Sequence, residues 1–446
     1  MEQILEQSKL VSSVLPSQAL GESEKLSLYC LRIPVEEGEL WYHNLTGELL
    51  LLDYADLGLF ETEGNLKDEL SKRWFLVPKQ HDEKKLADQI RTVKELLKPQ
   101  KGNLNHYVVF TTTDCNARCF YCYELGRRRM HMTDAVAHDV AAYIAKNCGG
   151  KPVKILWFGG EPLFNHRAID IITKDLVAEG VEFTSTMASN GFLFDEAMVK
   201  QAVSEWNLSR IQIALDGTEA IYNRSKAYIY RDGSPFQRVM SNIGLLLESG
   251  VNVSIRLNMD AKNADDLDAL VDELAQRYQK YTNLSVYAVL LRDFGHSIGE
   301  FESWEQALSR YKALQERLIN MRMGHVKYLE RDIRFNQCMA DNDSTFTILP
   351  DGRVGKCEHE SEEGFIGSIY EDSFDQDMIG AWKEQLRIPE CDSCLQYPTC
   401  IRLKKCAWHA HGCTEHDRAE MRINLTQKVL NEYERYKSGK VKESLV

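Results

Sequence analysis

The stretch HYVVFTTTDCNARCFYCYE, residues 106–124, joins a short β-rich run to three closely spaced cysteines. Cys115, Cys119 and Cys122 are separated by three and then by two residues. A structural zinc site is tetrahedral and closed, so it needs a fourth Cys or His ligand. Three thiolates that hold an iron–sulfur cube leave one iron open for a ligand from outside the protein. The spacing therefore indicates a reactive metal site, with zinc bound by His106 or His131 as the alternative.

The charge balance limits the partners of the chain. Lys+Arg is 54 and Asp+Glu is 67, a formal net charge of -13, which disfavours nonspecific binding to nucleic acid or to an anionic membrane. The basic run GRRRMH, residues 126–131, is a local exception that suits either a solvated loop or contact with an acidic ligand. No signal peptide or membrane helix is evident, so a cytoplasmic protein is expected.

Twelve cysteines in a reducing compartment favour metal binding over disulfides. Ten of them lie in two groups, within residues 115–122 and 338–413. Cys30 and Cys148 stand apart and are interpreted as ordinary half-buried thiols. The two groups therefore mark two metal-binding regions.

The middle of the chain, residues 105–322, alternates β-rich runs with amphipathic helical stretches. Six strands are predicted, at HYVVFTTT, VKILWF, EFTSTMA, RIQIAL, VNVSIRLN and LSVYAVLL. Alternating strands and helices predict an α/β fold with a parallel sheet, which six right-handed units would curl into a partial (β/α)6 barrel of the TIM type. Ligands bind at the carboxyl ends of such strands, where the first cysteine group lies.

Two further regions complete the predicted organisation. Residues 1–100 begin with a hairpin, LSLYCLRIPV and ELWYHNLTGELLLL, and continue as helices up to a linker, which predicts an N-terminal α+β domain. Residues 323–446 are rich in loops and cysteines, with a hairpin at TFTILPDGRVGKC and a closing helix at DRAEMRINLTQKVLNEYERYK. The predicted domains are therefore 1–100, 101–322 and 323–446.

The cysteine spacing, with an aromatic residue just before the last cysteine, resembles the signature of radical S-adenosylmethionine (SAM) enzymes. The resemblance implies a [4Fe–4S] cluster on Cys115, Cys119 and Cys122, with SAM chelating the open iron. It also implies cleavage of SAM to methionine and a 5′-deoxyadenosyl radical that abstracts a substrate hydrogen. Further short motifs resemble the family's SAM-binding positions: Tyr121, Gly159, Gly160, Glu161, Ser189, Asn190, Asp216 and Arg256.

The C-terminal cysteines resemble the SPASM extension of radical SAM enzymes, which carries two auxiliary [4Fe–4S] clusters. Carried over in order, Cys338, Cys357 and Cys406 would hold a proximal cluster, and the distal ligands would be Cys391, Cys394, Cys400 and Cys413. Five residues lie between Cys400 and Cys406 where the family has three, so the Cys406 assignment departs from the pattern. The proximal cluster is expected to have an open iron unless Asp332 fills it. A zinc ribbon that uses His409, His411 or His416 is the alternative.

The resemblance implies an enzyme with three [4Fe–4S] clusters and SAM that modifies a peptide. The leading hypothesis is a maturase that forms thioether crosslinks in a ribosomally made precursor peptide, with Glu358 as a base. A leader peptide would bind the N-terminal domain, unless that domain is a plain cap on the barrel, and flavodoxin or ferredoxin would supply electrons. The alternatives are carbon–carbon crosslinking, epimerisation, formylglycine formation in a sulfatase, a noncatalytic iron–sulfur electron carrier or regulator, and a zinc-binding interaction protein.

Overall fold

The computed structural model describes most of the chain in two compact units. The described residues are 1–6, 24–59, 64–97, 104–292, 298–324, 326–330, 338–359, 364–406 and 412–439. One unit comprises Met1–Pro99, Val326–Cys338 and Glu384–Val446, and the other comprises Gln100–His325 and Met339–Lys383. No helix in the described ranges is long and apolar enough to cross a membrane. The predicted division into three domains stays a prediction, because compactness alone does not define a functional domain.

The N-terminal part of the chain is a mixture of strands and helices, as predicted. Its strands are β1 (Glu2–Leu5), β2 (Glu24–Leu26), β3 (Cys30–Val35), β4 (Gly38–His43), β5 (Leu49–Asp53) and β6 (Leu76–Pro78). Its helices are α1 (Tyr54–Leu59), α2 (Gly64–Lys72) and α3 (Glu83–Leu96). The predicted hairpin is present as β3 and β4, which pair antiparallel.

The barrel region contains all six predicted strands. They are β7 (His106–Thr112), β8 (Val153–Gly159), β9 (Phe183–Ser189), β10 (Leu208–Leu215), β11 (Asn252–Met259) and β12 (Leu284–Leu290). The helices between and after them are α4 (Asp134–Asn147), α5 (His166–Ala178), α6 (Glu196–Ser204), α7 (Glu219–Lys226), α8 (Pro235–Glu248), α9 (Asp266–Tyr278) and α10 (Trp304–Asn320).

The strands β7 to β12 are parallel and neighbour one another in chain order. Buried and less buried residues alternate along the strands, because successive side chains point to opposite faces of the sheet. The predicted α/β fold with a partial barrel is therefore confirmed. All six carboxyl ends lie at one edge of the sheet, where the loops that carry the predicted SAM-binding motifs begin.

The C-terminal region contains several short elements and one long helix. The short elements are β13 (Thr345–Ile348), β14 (Arg353–Gly355), β15 (Gly367–Ser368) and α11 (Gln376–Lys383), and the long helix is α12 (Glu415–Lys437). The predicted hairpin forms between β13 and β14, and its turn uses Gly352 at a φ of 84°. Strand β13 also pairs in parallel with β7, so the hairpin extends the barrel sheet beyond its first strand.

The N-terminal sheet, ordered β1-β5-β4-β3, packs against the C-terminal helix within the first unit. Leu40, Leu49 and Ile33 form one core cluster with Val429 and Tyr433 of α12. Helix α12 starts with a capping box between Thr414 and Asp417, which satisfies free backbone groups at its first turn. The sheet therefore buries one face on α12, and among the described residues β1 and β3 are its edge strands.

Candidate active site

The cysteine loop, residues 113–125, follows β7 at the carboxyl edge of the barrel. Its three thiols are free and half-buried. Burial raises the pKa of Cys115 and of Cys122, and raises that of Cys119 to about 11. The thiols are therefore protonated at neutral pH unless a metal binds and ionises them.

The surroundings of Cys115 suit a metal-bound thiolate. The backbone N–H of Ala117 donates to the Cys115 sulfur at 3.3 Å, and the Asn190 side-chain amide lies 3.8 Å from that sulfur. Donors of this kind stabilise negative charge on sulfur and tune a cluster that the thiolate holds. The residues present therefore fit a cluster held at this loop.

Zinc is less well served by the same loop. His106 is the first residue of β7, whereas Cys115 lies beyond its last residue, so the strand separates them by roughly 20 Å. His131 approaches Asp114 at 4.0 Å rather than a thiol. Among the described residues, no group of three or more His, Cys, Asp or Glu side chains is arranged to hold a single metal ion.

Gly159 and Gly160 let the end of β8 approach the cysteine loop closely. A Cβ atom at Gly159 would lie 2.1 Å from the Thr112 carbonyl oxygen, and one at Gly160 would lie 2.4 Å from that of Asp114. The Gly160 N–H donates to Thr112 at 3.2 Å and the Glu161 N–H donates to Asp114 at 3.0 Å. Both glycines are therefore required by backbone packing against the loop.

Glu161 joins the ends of β8 and β9. Its fully buried carboxylate accepts the Ser189 hydroxyl at 2.8 Å and the backbone N–H groups of Asn190 and Leu163 at 2.7 and 3.2 Å. Burial raises the pKa of Glu161 to about 7, although the three donors oppose that rise. The structure therefore brings together three of the predicted SAM-binding residues, with Asn190 also reaching Cys115.

Tyr121 is the centre of a buried hydrogen-bond network. Its hydroxyl donates to the Asp216 carboxylate at 2.8 Å and accepts from Lys226 at 2.6 Å and from Asn258 at 3.1 Å. Lys226 also forms an ion pair with Asp216 at 3.2 Å. Burial lowers the pKa of Lys226, but Asp216, Tyr121, Cys119 and Tyr222 together outweigh burial and raise the pKa well above its usual value. The network fixes the loop between Cys119 and Cys122 to the ends of β10 and β11.

Lys226 and Asn258 are members of this network that the sequence analysis missed. Lys226 is the last residue of helix α7. The sequence pattern at this position does not distinguish a buried lysine from a solvated one. Asn258 had a usable signal, since it is a buried polar residue near the carboxyl end of a barrel strand.

A cavity of about 580 Å³ opens beside this network. Tyr121 and Asp216 line it together with Phe120, Asp260 and Leu291. The lining residues lie in the cysteine loop, at the carboxyl ends of β10, β11 and β12, and on helix α7. Its volume falls in the range of sites for small-molecule ligands.

A second cysteine-bearing segment lies against the cysteine loop within the same unit. The rings of Tyr123 and His359 are 4.3 Å apart, and the His359 backbone N–H donates to the Cys357 sulfur at 3.4 Å. Glu358 is half-buried, with a carboxylate 3.6 Å from the His359 ring. Burial raises the pKa of Glu358 and lowers that of His359 to about 4.

Arg256 lies in β11 and is half-buried. It is close enough to His359 to lower the pKa of that ring, after the effects of burial and of Arg127. The charge of Arg256 thus acts on the Cys357 segment, and its predicted role at the SAM carboxylate stays a prediction.

The four cysteines assigned to the distal cluster lie near one another in the first unit. The pKa of Cys394 is raised by burial and by the proximity of the other three, which are Cys391, Cys400 and Cys413. Cys391 and Cys394 also pack against the core around Tyr397 and Ile90.

The three cysteines assigned to the proximal cluster differ in exposure: Cys338 is exposed, Cys357 is buried and Cys406 is half-buried. Asp332, His409 and His411 lie outside the described residues, so their predicted roles stay predictions.

Comparisons with known proteins agree with this geometry. Residues 109–274 match the model of the Radical SAM superfamily. GTP 3′,8-cyclase of Limosilactobacillus fermentum is 28% identical over 214 residues, which cover 46% of this chain and 59% of the relative. The serine-type anaerobic sulfatase-maturating enzyme of Klebsiella aerogenes is 23% identical over 269 residues, 55% of this chain and 64% of the relative. The chain thus spans about three fifths of the length of these curated relatives.

Solved structures share the fold over most of the chain. Native anSMEcpe with bound AdoMet and the Kp18Cys peptide has a TM-score of 0.54 at 15% identity, covering 72% of this chain and 99% of its own. SuiB of Streptococcus suis bound to S-adenosylmethionine has a TM-score of 0.51 at 15% identity, covering 84% and 94%. The predicted relationship to radical SAM proteins is confirmed for the domain at 109–274 and for the shared fold.

Proposed function

We propose that this radical SAM protein is a peptide maturase that joins a cysteine sulfur of its substrate to a carbon atom. The observation that carries the proposal is the contact between the cysteine loop and the Cys357 segment. Tyr123 follows Cys122 directly, and its ring lies 4.3 Å from that of His359, two residues beyond Cys357. A second redox group held by Cys357 would therefore lie beside the radical site.

With a [4Fe–4S] cluster and SAM bound, the site supplies a 5′-deoxyadenosyl radical. The chain's own residues would bind and orient its precursor. The cavity beside Tyr121 and Asp216 has the volume to receive the adenosyl group. The Glu161 carboxylate would attract the ammonium group of SAM, and the backbone at Gly159 and Gly160 would lie along its methionine end.

Thioether formation needs a second electron acceptor, which is why the neighbouring cysteine segment matters. The substrate carbon loses a hydrogen atom to the radical, and the substrate thiol loses a proton. When the carbon–sulfur bond forms, one further electron must leave the substrate. Cys338, Cys357 and Cys406 would hold a proximal cluster that would supply an electron acceptor, and Glu358 would accept the proton.

A precursor peptide is the proposed substrate. Within the part of the chain that the structure describes, β3 is an edge strand of the N-terminal sheet with one unpaired side, to which a leader segment would add as a further strand. SuiB of Streptococcus suis, whose fold this chain shares with a TM-score of 0.50, has been solved bound to its precursor peptide SuiA. That likeness supports a peptide substrate, and a distal cluster at Cys391, Cys394, Cys400 and Cys413 would complete the proposed set of three.

Oxidation of a sulfatase residue is the second candidate function. It is favoured by the similarity to the serine-type anaerobic sulfatase-maturating enzyme of Klebsiella aerogenes. In this function the substrate carbon radical is oxidised without a new sulfur–carbon bond, so the same acceptor and the same base would serve. The product separates the two candidates, because only the sulfatase reaction leaves an aldehyde.

Mass spectrometry of a candidate peptide, coexpressed with the protein, tests the proposal. A thioether product lacks two hydrogens and has lost a thiol that reacts with iodoacetamide. The Cys122→Ala variant should give unmodified peptide, whereas Cys30→Ala, at a half-buried cysteine outside both groups, should modify it normally. A product that carries an aldehyde supports the sulfatase candidate. Failure of the reconstituted protein to release 5′-deoxyadenosine from SAM contradicts both.

A further inference from the structure

We propose that the outer face of the cysteine loop is the docking surface for a small acidic electron-carrier protein. This loop face is defined by Arg118, Phe120, Leu125, Arg128 and Arg129. The carrier would give up one electron and the metal site would gain it, which each SAM cleavage requires. The inference therefore rests on the proposed function and adds the place where its electrons enter.

Apolar side chains are exposed within the loop itself. Phe120 is 37% exposed and lies between Cys119 and Cys122, while Leu125 is 47% exposed and donates its N–H to the Cys122 carbonyl at 3.1 Å. Ile229, 44% exposed, is bonded to the loop through its N–H and the Asn116 carbonyl at 2.9 Å. A protein that packs on these side chains would therefore contact the same loop that carries the metal-binding thiols.

Scattered apolar residues are common on protein surfaces, so the charge of the face is the second observation. Residues 113–131 contain four arginines and two acidic residues, a balance of +2 on a chain whose net charge is -13. One of the acids, Glu124, has a side chain only 6% exposed. The other, Asp114, lies between Arg118 at 3.6 Å and Arg129 at 3.4 Å.

The positive character continues around the rim of the loop face. Arg128 and Arg224 are exposed, and Arg224 lines the same cavity as Phe120. The Lys262 ammonium lies 5.9 Å from the centre of the Phe120 ring. A positive face on an acidic protein attracts an acidic partner and orients it during the encounter. An apolar centre with a charged rim is the arrangement of a protein-binding surface.

The test compares a protein electron donor with a small-molecule electron donor. The full chain, reconstituted without oxygen, is given SAM and either reduced flavodoxin or dithionite, and 5′-deoxyadenosine release is timed. Arg128→Glu/Arg129→Glu should lower the flavodoxin-driven rate about tenfold or more at low ionic strength, since steering of this kind changes association rates by 10–1,000-fold. The dithionite-driven rate should stay within about twofold of the unchanged protein, because a small donor needs no docking surface. Flavin fluorescence on titration with oxidised flavodoxin should show the same loss of affinity.

The matched control is Lys151→Glu/Lys174→Glu, which reverses two exposed charges away from the loop, one in the turn before β8 and one on α5. It should behave like the unchanged protein with both donors. Arg128→Ala/Arg129→Ala gives a milder variant if the charge reversal disturbs folding.

An equal loss of 5′-deoxyadenosine release with both donors would overturn the proposal, since the arginines would then support the metal site. An unchanged flavodoxin-driven rate of 5′-deoxyadenosine release would also overturn it. This holds even if the variant binds an acidic peptide more weakly, since the loop face would then contact that peptide and not the carrier. If no donor yields 5′-deoxyadenosine even from the unchanged protein, the proposed function fails instead.

Discussion

Replacing Glu161 by glutamine should make the protein more stable above pH 7 while weakening its binding of SAM. The carboxyl of Glu161 is fully buried, and its pKa is raised from 4.5 to about 7. Between these two values the unfolded chain has released the proton and the folded chain has kept it. The free energy of unfolding therefore falls by about 1.4 kcal/mol per pH unit as the pH rises, or by about 3 kcal/mol in all.

The glutamine amide imitates the protonated carboxyl. Its oxygen can accept from Ser189 and Leu163, which both donate to the same carboxylate oxygen, but its NH₂ group cannot accept from the Asn190 N–H, and this unpaired donor costs about 1 kcal/mol. Glu161→Gln should thus lie about 1 kcal/mol below the unchanged protein near pH 5 and about 2 kcal/mol above it at pH 8. The cost is functional, because a neutral amide no longer attracts an ammonium group.

Urea unfolding of the reduced, metal-free chain from pH 5 to pH 8.5 measures this difference, and calorimetry on the reconstituted protein measures SAM binding. Glu161→Ala is the control, because it removes the same titration but leaves three buried donors without an acceptor, so it should lie about 3 kcal/mol below Glu161→Gln at every pH. A stability difference between Glu161→Gln and the unchanged protein that does not vary with pH would refute the reasoning. It would mean that the three hydrogen bonds outweigh burial and keep the carboxylate ionised.

Three further predictions follow from other contacts. Burial lowers the pKa of His43 to about 3, so unfolding free energy should fall by about 1.4 kcal/mol per unit as pH drops from 6.5 towards 3, and His43→Gln should flatten that dependence in acid-unfolding curves. Tyr121→Phe removes the hydroxyl that joins Asp216, Lys226 and Asn258, and urea unfolding should show a loss of about 1–3 kcal/mol. Gly160→Ala places a Cβ 2.4 Å from the Asp114 oxygen and should sharply reduce the iron and sulfide retained, whereas Gly380→Ala, with nothing within 4 Å, should retain both.

Several features of the fold were predictable because they depend on local pattern. The six barrel strands and the presence of helices between them were predicted from apolar periodicity. The position of the cysteine loop after β7 followed from the order of those elements. What the pattern did not reveal is that β13 pairs with β7, because backbone hydrogen bonds at a sheet edge carry no sequence information.

The candidate site shows the same division. The sequence indicated Glu161, Ser189 and Asn190 separately, as short motifs on different loops, but the carboxylate that joins them is visible only in the structure. The glycines of the same motif were assigned to SAM binding by their resemblance to the family. The structure adds close approach of the Thr112 and Asp114 carbonyls, which lie far from them in sequence.

The sequence alone determined that three thiols with one missing ligand lie at the carboxyl edge of a parallel sheet, because spacing and strand order are local properties. The tertiary structure decided which groups surround those thiols. Lys226 and Asn258 reach Tyr121 from elements more than one hundred residues away, and the Cys357 segment reaches Tyr123 from farther still. Contacts between distant segments depend on how the elements pack, which no local spacing records.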